Sequence, residues 1–178
     1  MSTPASATPA SASAAEEVPR RLPPLLRRAW YGLNQCFRQR IAHLEITPDQ
    51  YSILRWLSEG DPKGLTQRAL TNLMTSDPNT ITSTLSRMES AGLIARQTHE
   101  LDKRAHRVRL LAAGTRVFEN AKLVAQGLEA QLLAALPAAR RERFLKDLEF
   151  LADACTGASE RASKKRVKAQ GVSRMPGE

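Results

Sequence analysis

The sequence predicts a mainly α-helical protein with one small β-hairpin, and two kinds of pattern support this. Apolar residues recur at steps of three and four over most of residues 22–155, which indicates amphipathic helices. Two short stretches, LIARQ and RVRLL, instead alternate or run apolar over four or five residues, as strands do. The polar segment THELDKRAH joins these two stretches. The predicted order is therefore four helices, a hairpin and two further helices.

Length and charge narrow the class of protein. The chain has 178 residues, which suits one domain, and a formal net charge of +9. This excess of positive charge favours a polyanionic partner, either nucleic acid or an anionic membrane surface. No apolar run is long enough to span a bilayer, and the first residues lack the basic and Leu-rich parts of a secretory signal. We therefore expect a cytoplasmic protein.

The composition changes near both ends of the chain. Residues 1–19 are mostly Ala, Ser, Thr and Pro, a composition that buries too little apolar area to order a chain. Residues 156–178 hold six basic residues against two acidic ones, with few apolar residues. We expect both segments to be disordered tails, the second one basic, on either side of a single domain at residues 20–155.

Short sequence patterns predict where the first three helices lie. An apolar stripe from Pro24 onward predicts the first helix. The segment TPDQ predicts that the second helix begins near Thr47 with a capping box and ends near Gly60. Thr66 is the expected cap of a short third helix, with Leu73 among the apolar residues that face inward.

The fourth helix has an unusual polar side. Asp77 is its expected cap, and Gly92 is placed just past its end. Three apolar residues fall on one face and would pack inward, namely Ile81, Leu85 and Met88. The rest of the helix carries short polar residues and one arginine, where Glu and Lys would favour a solvated helix. These residues are Asn79, Thr80, Thr82, Ser83, Ser86 and Arg87.

Helices three and four, the turn between them and the hairpin together match a winged helix-turn-helix, in which the second helix enters the major groove of DNA. Short hydroxyl and amide groups approach base edges closely, and Arg binds guanine or phosphate through two hydrogen bonds. The hairpin, called the wing below (residues 93–111), adds basic side chains suited to phosphates or a minor groove, namely Lys103, Arg104, His106, Arg107 and Arg109. The alternative is that both features simply face water.

The segment from Leu65 to Gly114 resembles the MarR family of bacterial transcription regulators. The matching stretches are LTQRALTNLM, DPNTITSTLSRMESAGLIAR and HELDKRAHRVRLLAAG. The resemblance implies a homodimer that binds double-stranded DNA at a pseudo-palindromic operator. Its DNA-binding part would span about residues 47–111, between dimerisation helices at about 22–46 and 113–155.

The resemblance also implies roles for individual residues. Asp102 would orient the wing, and Arg104 would enter the minor groove. Many members of the family are repressors released by small phenolic or other aromatic acids, which bind between the dimer helices and the winged domain. The candidate contacts for such an effector are Trp30, Tyr31, His43, Tyr51, Arg55 and Trp56. At helical spacing, Trp and Tyr are alternatively anchors of a core or an interface.

Other classes of function find less support in the sequence. It contains no Gly-rich phosphate loop and no nucleophile elbow, so we expect neither an enzyme nor a bound cofactor. The three histidines are scattered and no CxxC spacing occurs, which disfavours a metal site. Cys36 and Cys155 are expected to be structural thiols, with a single bridge between chains left open. The alternative to a sequence-specific regulator is an architectural protein that coats nucleic acid through its charge, and neither reading includes a membrane partner.

Overall fold

A computed structural model describes residues 20–98 and 106–172. It confirms a mainly α-helical fold with one small antiparallel sheet, in the predicted order. The helices are α1 (Leu22–Arg40), α2 (Pro48–Glu59), α3 (Gln67–Leu73), α4 (Pro78–Ser90), α5 (Ala112–Leu133) and α6 (Ala138–Val172). The strands are β1 (Leu65–Thr66), β2 (Ile94–Thr98) and β3 (His106–Leu110), and a short 3-10 turn, Ala42–Leu44, links α1 to α2.

The predicted caps hold the starts of α2, α3 and α4. The capping box at Thr47 is confirmed, because its hydroxyl accepts from the backbone N–H of Gln50 (3.2 Å) while its own N–H donates to the Gln50 side chain (2.8 Å). Thr66 accepts from the N–H of the residue three positions on (3.1 Å). Asp77 accepts from the N–H groups of the second and third residues of α4. Gly92 follows the end of α4 with φ 68°, as predicted for a residue just past a helix.

The sheet has the strand order β1, β3, β2, with antiparallel pairing throughout. The hairpin of β2 and β3 was predicted from the sequence, whereas the two-residue β1 was not. Leu65 of β1 lies opposite Val108 of β3. Just before β1, Gly64 has φ 92°, and a β-carbon at this position would lie 2.4 Å from the carbonyl oxygen of Val108. Glycine therefore lets the segment between α2 and α3 pass close to β3.

A single core joins the first five helices and the sheet. Its most deeply buried side chains are Phe118, Ile41, Ile53, Leu54, Leu70, Ile81, Leu85, Met88, Ile94, Leu128 and Val108. The inward prediction for Leu73 is wrong, because this side chain is 41% exposed. α3 ends at Leu73, and the chain then turns through Thr75 with φ 48°, so this last helical position lies at the edge of the core.

α6 is one continuous helix of 35 residues. It passes Thr156, where the composition predicted the start of a disordered tail, and continues to Val172. The structure differs from that expectation because Ala, Lys and Arg, which are frequent in this stretch, are strong helix formers even where little apolar area is available to bury. Among the residues that the structure describes, no helix combines the length and the apolar character needed to cross a lipid bilayer.

Large apolar side chains remain exposed on α1 and α6. They are Leu22, Leu25, Leu26, Trp30, Tyr31 and Leu33 on α1, and Phe144, Leu145, Leu148 and Phe150 on α6. Both helices lie at the ends of the described chain, outside the segment that carries α3, α4 and the sheet.

Candidate nucleic-acid interface

α4 presents one apolar face to the core and a polar face to the outside, as the sequence predicted. Ile81, Leu85 and Met88 are at most 2% exposed. Thr84 is buried beside them, which the sequence analysis did not anticipate. On the opposite side, Asn79, Thr80, Thr82, Ser83 and Arg87 are exposed, and Ser86 is half-buried. The structure therefore brings together five of the six predicted recognition residues on an open surface.

Hydrogen bonds fix the hydroxyl groups of this polar face. The hydroxyl of Thr82 donates to the carbonyl of Pro78 (2.8 Å) and accepts from the side-chain amide of Gln67 in α3 (2.6 Å). The hydroxyl of Ser83 donates to the carbonyl of Thr80 (3.0 Å). Two hydroxyl groups are thus already oriented, that of Thr82 by both helices of the motif and that of Ser83 by α4 alone.

The C-terminal part of α4 is tied to the wing. The guanidinium of Arg96, in β2, donates to the carboxylate of Glu89 and to the hydroxyl of Ser86 (3.0 Å). Arg87 donates within its own helix, to the hydroxyl of Thr84 (3.3 Å). Ser86 therefore acts as a contact between α4 and β2 in this structure, while Arg87 stays on the open surface.

The tip of the wing lies outside the described residues, and with it the predicted contacts Asp102, Lys103 and Arg104. The backbone of His106 begins β3, opposite Thr98. Arg107 turns back toward the helices, where its guanidinium donates to the carbonyl of Gly64 (2.8 Å) and to the carboxylate of Asp61 (3.3 Å).

Asp61, in the loop after α2, holds Arg107 of the wing through its carboxylate. The backbone N–H of Lys63 donates to its carboxylate (2.8 Å), and this hydrogen bond lowers the pKa of Asp61 below its usual value of 3.8. The hydrogen bond and positive charge of Arg107 lower the pKa further. An ionised Asp61 thus orients an arginine that the sequence analysis assigned to the DNA-facing wing.

The six candidate effector residues do not share one cavity. Trp30 and Tyr31 are 64% and 60% exposed on α1 and line a cleft of about 240 Å³ with Asn34, Gln35, Arg38, Pro48 and Asp49. His43 lies exposed in the 3-10 turn. Arg55 and Trp56 of α2 form a cation–π pair, 4.9 Å from the guanidinium carbon to the ring centroid.

Tyr51 belongs to an aromatic group inside the fold. Its ring lies edge-on to Phe37, 4.9 Å between centroids, and stacks on Phe118 at 5.9 Å. Burial raises the pKa of Tyr51, an effect that the positive charge of Arg55 partly opposes. These contacts favour the role of a core anchor for Tyr51.

Comparison with known proteins places this architecture in a family. The model of the MarR family matches residues 46–106, which include α2, α3, α4 and most of the wing. The chain is 31% identical to the transcriptional regulator HosA from Escherichia coli O127:H6, over 127 residues that cover 68% of this chain and 93% of HosA. The chain belongs to the MarR family. It is therefore a transcriptional regulator with a DNA-binding winged helix, in a family of regulators rather than enzymes.

Solved structures of other MarR regulators share the fold. The DNA complex of MepR from S. aureus matches with a TM-score of 0.71 at 21% identity, covering 76% of this chain and 99% of MepR. The transcriptional repressor CouR bound to a 23-mer DNA duplex matches with a TM-score of 0.66 at 27% identity, covering 72% and 89%. CouR from Rhodococcus jostii RHA1 bound to p-coumaroyl-CoA matches with a TM-score of 0.64 at 21% identity, over the same shares of both chains.

Sequence reasoning missed several residues that position the MarR winged helix. Gln67 holds Thr82, Glu89 holds Arg96, and Asp61 holds Arg107. These partners lie 15, 7 and 46 residues apart. Only Glu89 could have been noticed from the sequence, because it is the one acidic residue in a helix that is otherwise uncharged apart from Arg87.

Proposed function

We propose that this MarR-family protein is a cytoplasmic repressor that binds a pseudo-palindromic operator as a homodimer. α4 would enter the major groove of each half-site with Asn79, Thr80, Thr82, Ser83 and Arg87, and Ser86 would support its contact with the wing. The wing would follow the adjacent minor groove, with Arg104 inserted and Asp102, Lys103, His106 and Arg107 around it.

The open polar face of α4 is the observation that carries this proposal. Apart from Arg87 it is uncharged, so it does not repel phosphates and its short side chains allow base edges to come close. A helix that only faced water would gain more stability from Glu and Lys at these positions.

The exposed apolar residues of α1 and α6 support the homodimer. Phe144, Leu145 and Leu148 lie on one side of α6 at helical spacing and are 38–45% exposed. Contiguous apolar surface of this kind marks an interface. A two-fold symmetric dimer would bury it and would place two copies of α4 against two half-sites of one operator.

A small aromatic effector is the second part of the proposal. CouR binds an aromatic thioester, p-coumaroyl-CoA, which shows that this fold accepts such a ligand in a relative. In this chain, the cleft beside Trp30 and Tyr31 contains Arg38, whose charge suits a carboxylate. Release of operator by a panel of aromatic acids, with retained operator binding but lost release in Arg38→Gln, would support this cleft. If no acid released the operator, or if Arg38→Gln responded as wild type does, the assignment would be wrong.

Selection of bound sequences from a random DNA pool tests the main proposal. The purified full chain is used at a low and at a high salt concentration. We expect a two-fold symmetric motif that survives the higher salt, bound on the order of a thousandfold more tightly than random DNA. An unenriched pool, bound only at low salt, would favour the alternative of an architectural protein that contacts phosphates alone.

One substitution tests the wing. Arg104→Ala should weaken binding to the selected operator and to its sequence variants by a similar factor, since a minor-groove arginine adds affinity with little choice of sequence. Arg143→Ala is the matched control, because it removes the same charge from an exposed position on α6. Wild-type operator binding by Arg104→Ala would show that the wing residue is assigned incorrectly.

A further inference from the structure

The hydroxyl group of Thr82 is already engaged before any DNA is bound. A threonine hydroxyl has one hydrogen to donate and two lone pairs that accept. In Thr82 the hydrogen is directed to the carbonyl of Pro78, 2.8 Å away, and one lone pair accepts from the Gln67 amide at 2.6 Å. The hydroxyl therefore has no hydrogen left to donate to a base. The amide nitrogen of Gln67 and the carbonyl oxygen of Pro78 both lie within hydrogen-bond distance of its oxygen.

Both hydrogen bonds of Thr82 are made by its hydroxyl group, so its methyl group is the part of the side chain that is free to contact a base. The residue is exposed on the outer face of α4, and its two partners belong to α3 and to the first turn of α4. To offer its hydroxyl as a donor, Thr82 would have to give up its hydrogen bond to Pro78. Its neighbour Ser83 also donates inward, to Thr80, but has no methyl group to present.

Among the groups that bases expose in the major groove, only the C5-methyl of thymine is apolar, and a threonine methyl is one of its usual contacts. The second lone pair of the hydroxyl can accept from an amino group of adenine or cytosine, and two substitutions of Thr82 distinguish that contact from one through the methyl group. We infer that Thr82 reads a thymine in each half-site through its methyl group, with Gln67 and Pro78 holding the hydroxyl away from the base. This inference deepens the proposed function, because it rests on α4 lying in the major groove.

Deoxyuridine tests the inference without changing the protein. It pairs as thymine does and lacks only the C5-methyl group, so each thymine of the selected operator is replaced in turn. We expect one replacement in each half-site to weaken binding about fourfold, the value of burying one methyl-sized group, and about 15-fold when both half-sites carry it. The remaining thymines serve as internal controls.

Two substitutions assign the sensitive thymine to Thr82. Thr82→Val keeps a methyl group and loses the hydroxyl, so the loss of binding caused by deoxyuridine should be the same factor as in wild type. Thr82→Ser keeps the hydroxyl and loses the methyl group. It should bind the thymine operator about fourfold more weakly per contact and no longer distinguish thymine from deoxyuridine. Circular dichroism of each variant checks that α4 is intact.

The outcomes separate this inference from the proposed function. A specific operator with no methyl-sensitive thymine would overturn the inference alone. The same holds if Thr82→Val loses affinity while Thr82→Ser binds as wild type does, because the hydroxyl would then be the reading group. A protein that enriches no motif at all would overturn the proposed function and this inference with it.

Discussion

The guanidinium of Arg96 in β2 lies 2.6 Å from the carboxylate of Glu89 near the end of α4. The same carboxylate also accepts from the backbone N–H of Arg96 (3.1 Å) and from its Nε (2.8 Å). Both side chains are only partly exposed, at 26% and 38%. The carboxylate therefore fixes β2 to α4, and the two elements that we propose contact DNA are held in one orientation.

Glu89→Ala should destabilise the fold and loosen the wing. It removes acceptors for three N–H groups, and hydrogen bonds to charged groups contribute about 1.5–3 kcal/mol when buried. Since both side chains are partly exposed, we expect the free energy of unfolding to fall by about 1–2 kcal/mol. Urea denaturation at one fixed protein concentration measures this change.

The control for Glu89 is Glu59→Ala, which breaks an exposed pair with Arg55 on α2 (3.6 Å). Pairs of this kind contribute about 0.5 kcal/mol or less. If the two variants lost the same stability, Glu89 would be acting as an ordinary surface charge.

Gly114→Ala should be strongly destabilising. A β-carbon at Gly114 would lie 2.1 Å from the carbonyl oxygen of Leu93, so the start of α5 would have to move away from the wing. Overpacking of this kind costs about 1–3 kcal/mol. In the same helix, Gly127→Ala meets no atom within 4 Å and should raise stability by about 0.5–1 kcal/mol through its better helix propensity. Thermal unfolding of both variants checks the opposite signs, and a stable Gly114→Ala would contradict the close approach.

Asp61 should contribute stability at neutral pH that is lost in acid. Its pKa is lower in the folded chain than its usual value, chiefly because the N–H of Lys63 donates to it. The unfolded chain therefore binds this proton more readily, and the contribution is present above the unfolded pKa and disappears as the pH falls through the folded one. The difference in stability between wild type and Asp61→Asn should thus be largest near about pH 7 and shrink below about pH 4.

Arg107→Gln is the matched variant for this pH dependence. It removes the side-chain partner of Asp61 and leaves the hydrogen bond from Lys63, which is the largest single cause of the lowered pKa. Urea unfolding across the pH range should therefore give a dependence closer to wild type than to Asp61→Asn. The opposite order would mean that the arginine, and not the loop backbone, sets the pKa.

Leu148→Glu should separate the protomers of the proposed homodimer. Fully burying a leucine contributes about 1.5–3 kcal/mol, and a symmetric interface contains two copies, so the dimer dissociation constant should rise at least tenfold. Phe150→Glu is the control, because Phe150 is 81% exposed and lies on the other side of α6. Light scattering coupled to gel filtration measures both, and equal dissociation would show that the apolar stripe through Leu148 is not the interface.

The parts of the fold that the sequence predicted are those that neighbouring residues determine. Thr47, Thr66 and Asp77 each cap a helix through groups two or three positions away, so the pattern and its partner appear in the same short window. The buried face of α4 followed in the same way from Ile81 and Leu85 at helical spacing.

The features that the sequence did not predict depend on partners far along the chain. β1 exists because Gly64 allows the loop to reach β3, about forty residues later. The sequence predicted Arg107 only as a DNA contact, because its partner Asp61 lies 46 residues before it. The candidate effector residues were grouped by the helix that carries them, whereas the packing separates Tyr51, half-buried against the core, from Trp30 on the surface.

Arg96 and Arg107 each form an ion pair with a carboxylate, and these ion pairs reduce the positive charge that the wing offers to DNA. DNA holds condensed counterions, and a cationic side chain gains affinity mainly by displacing them into bulk solvent. An arginine whose charge a carboxylate already balances, as Glu89 does for Arg96 and Asp61 for Arg107, displaces fewer of them. The number of arginines in the wing therefore overstates how many ions DNA releases when the regulator binds.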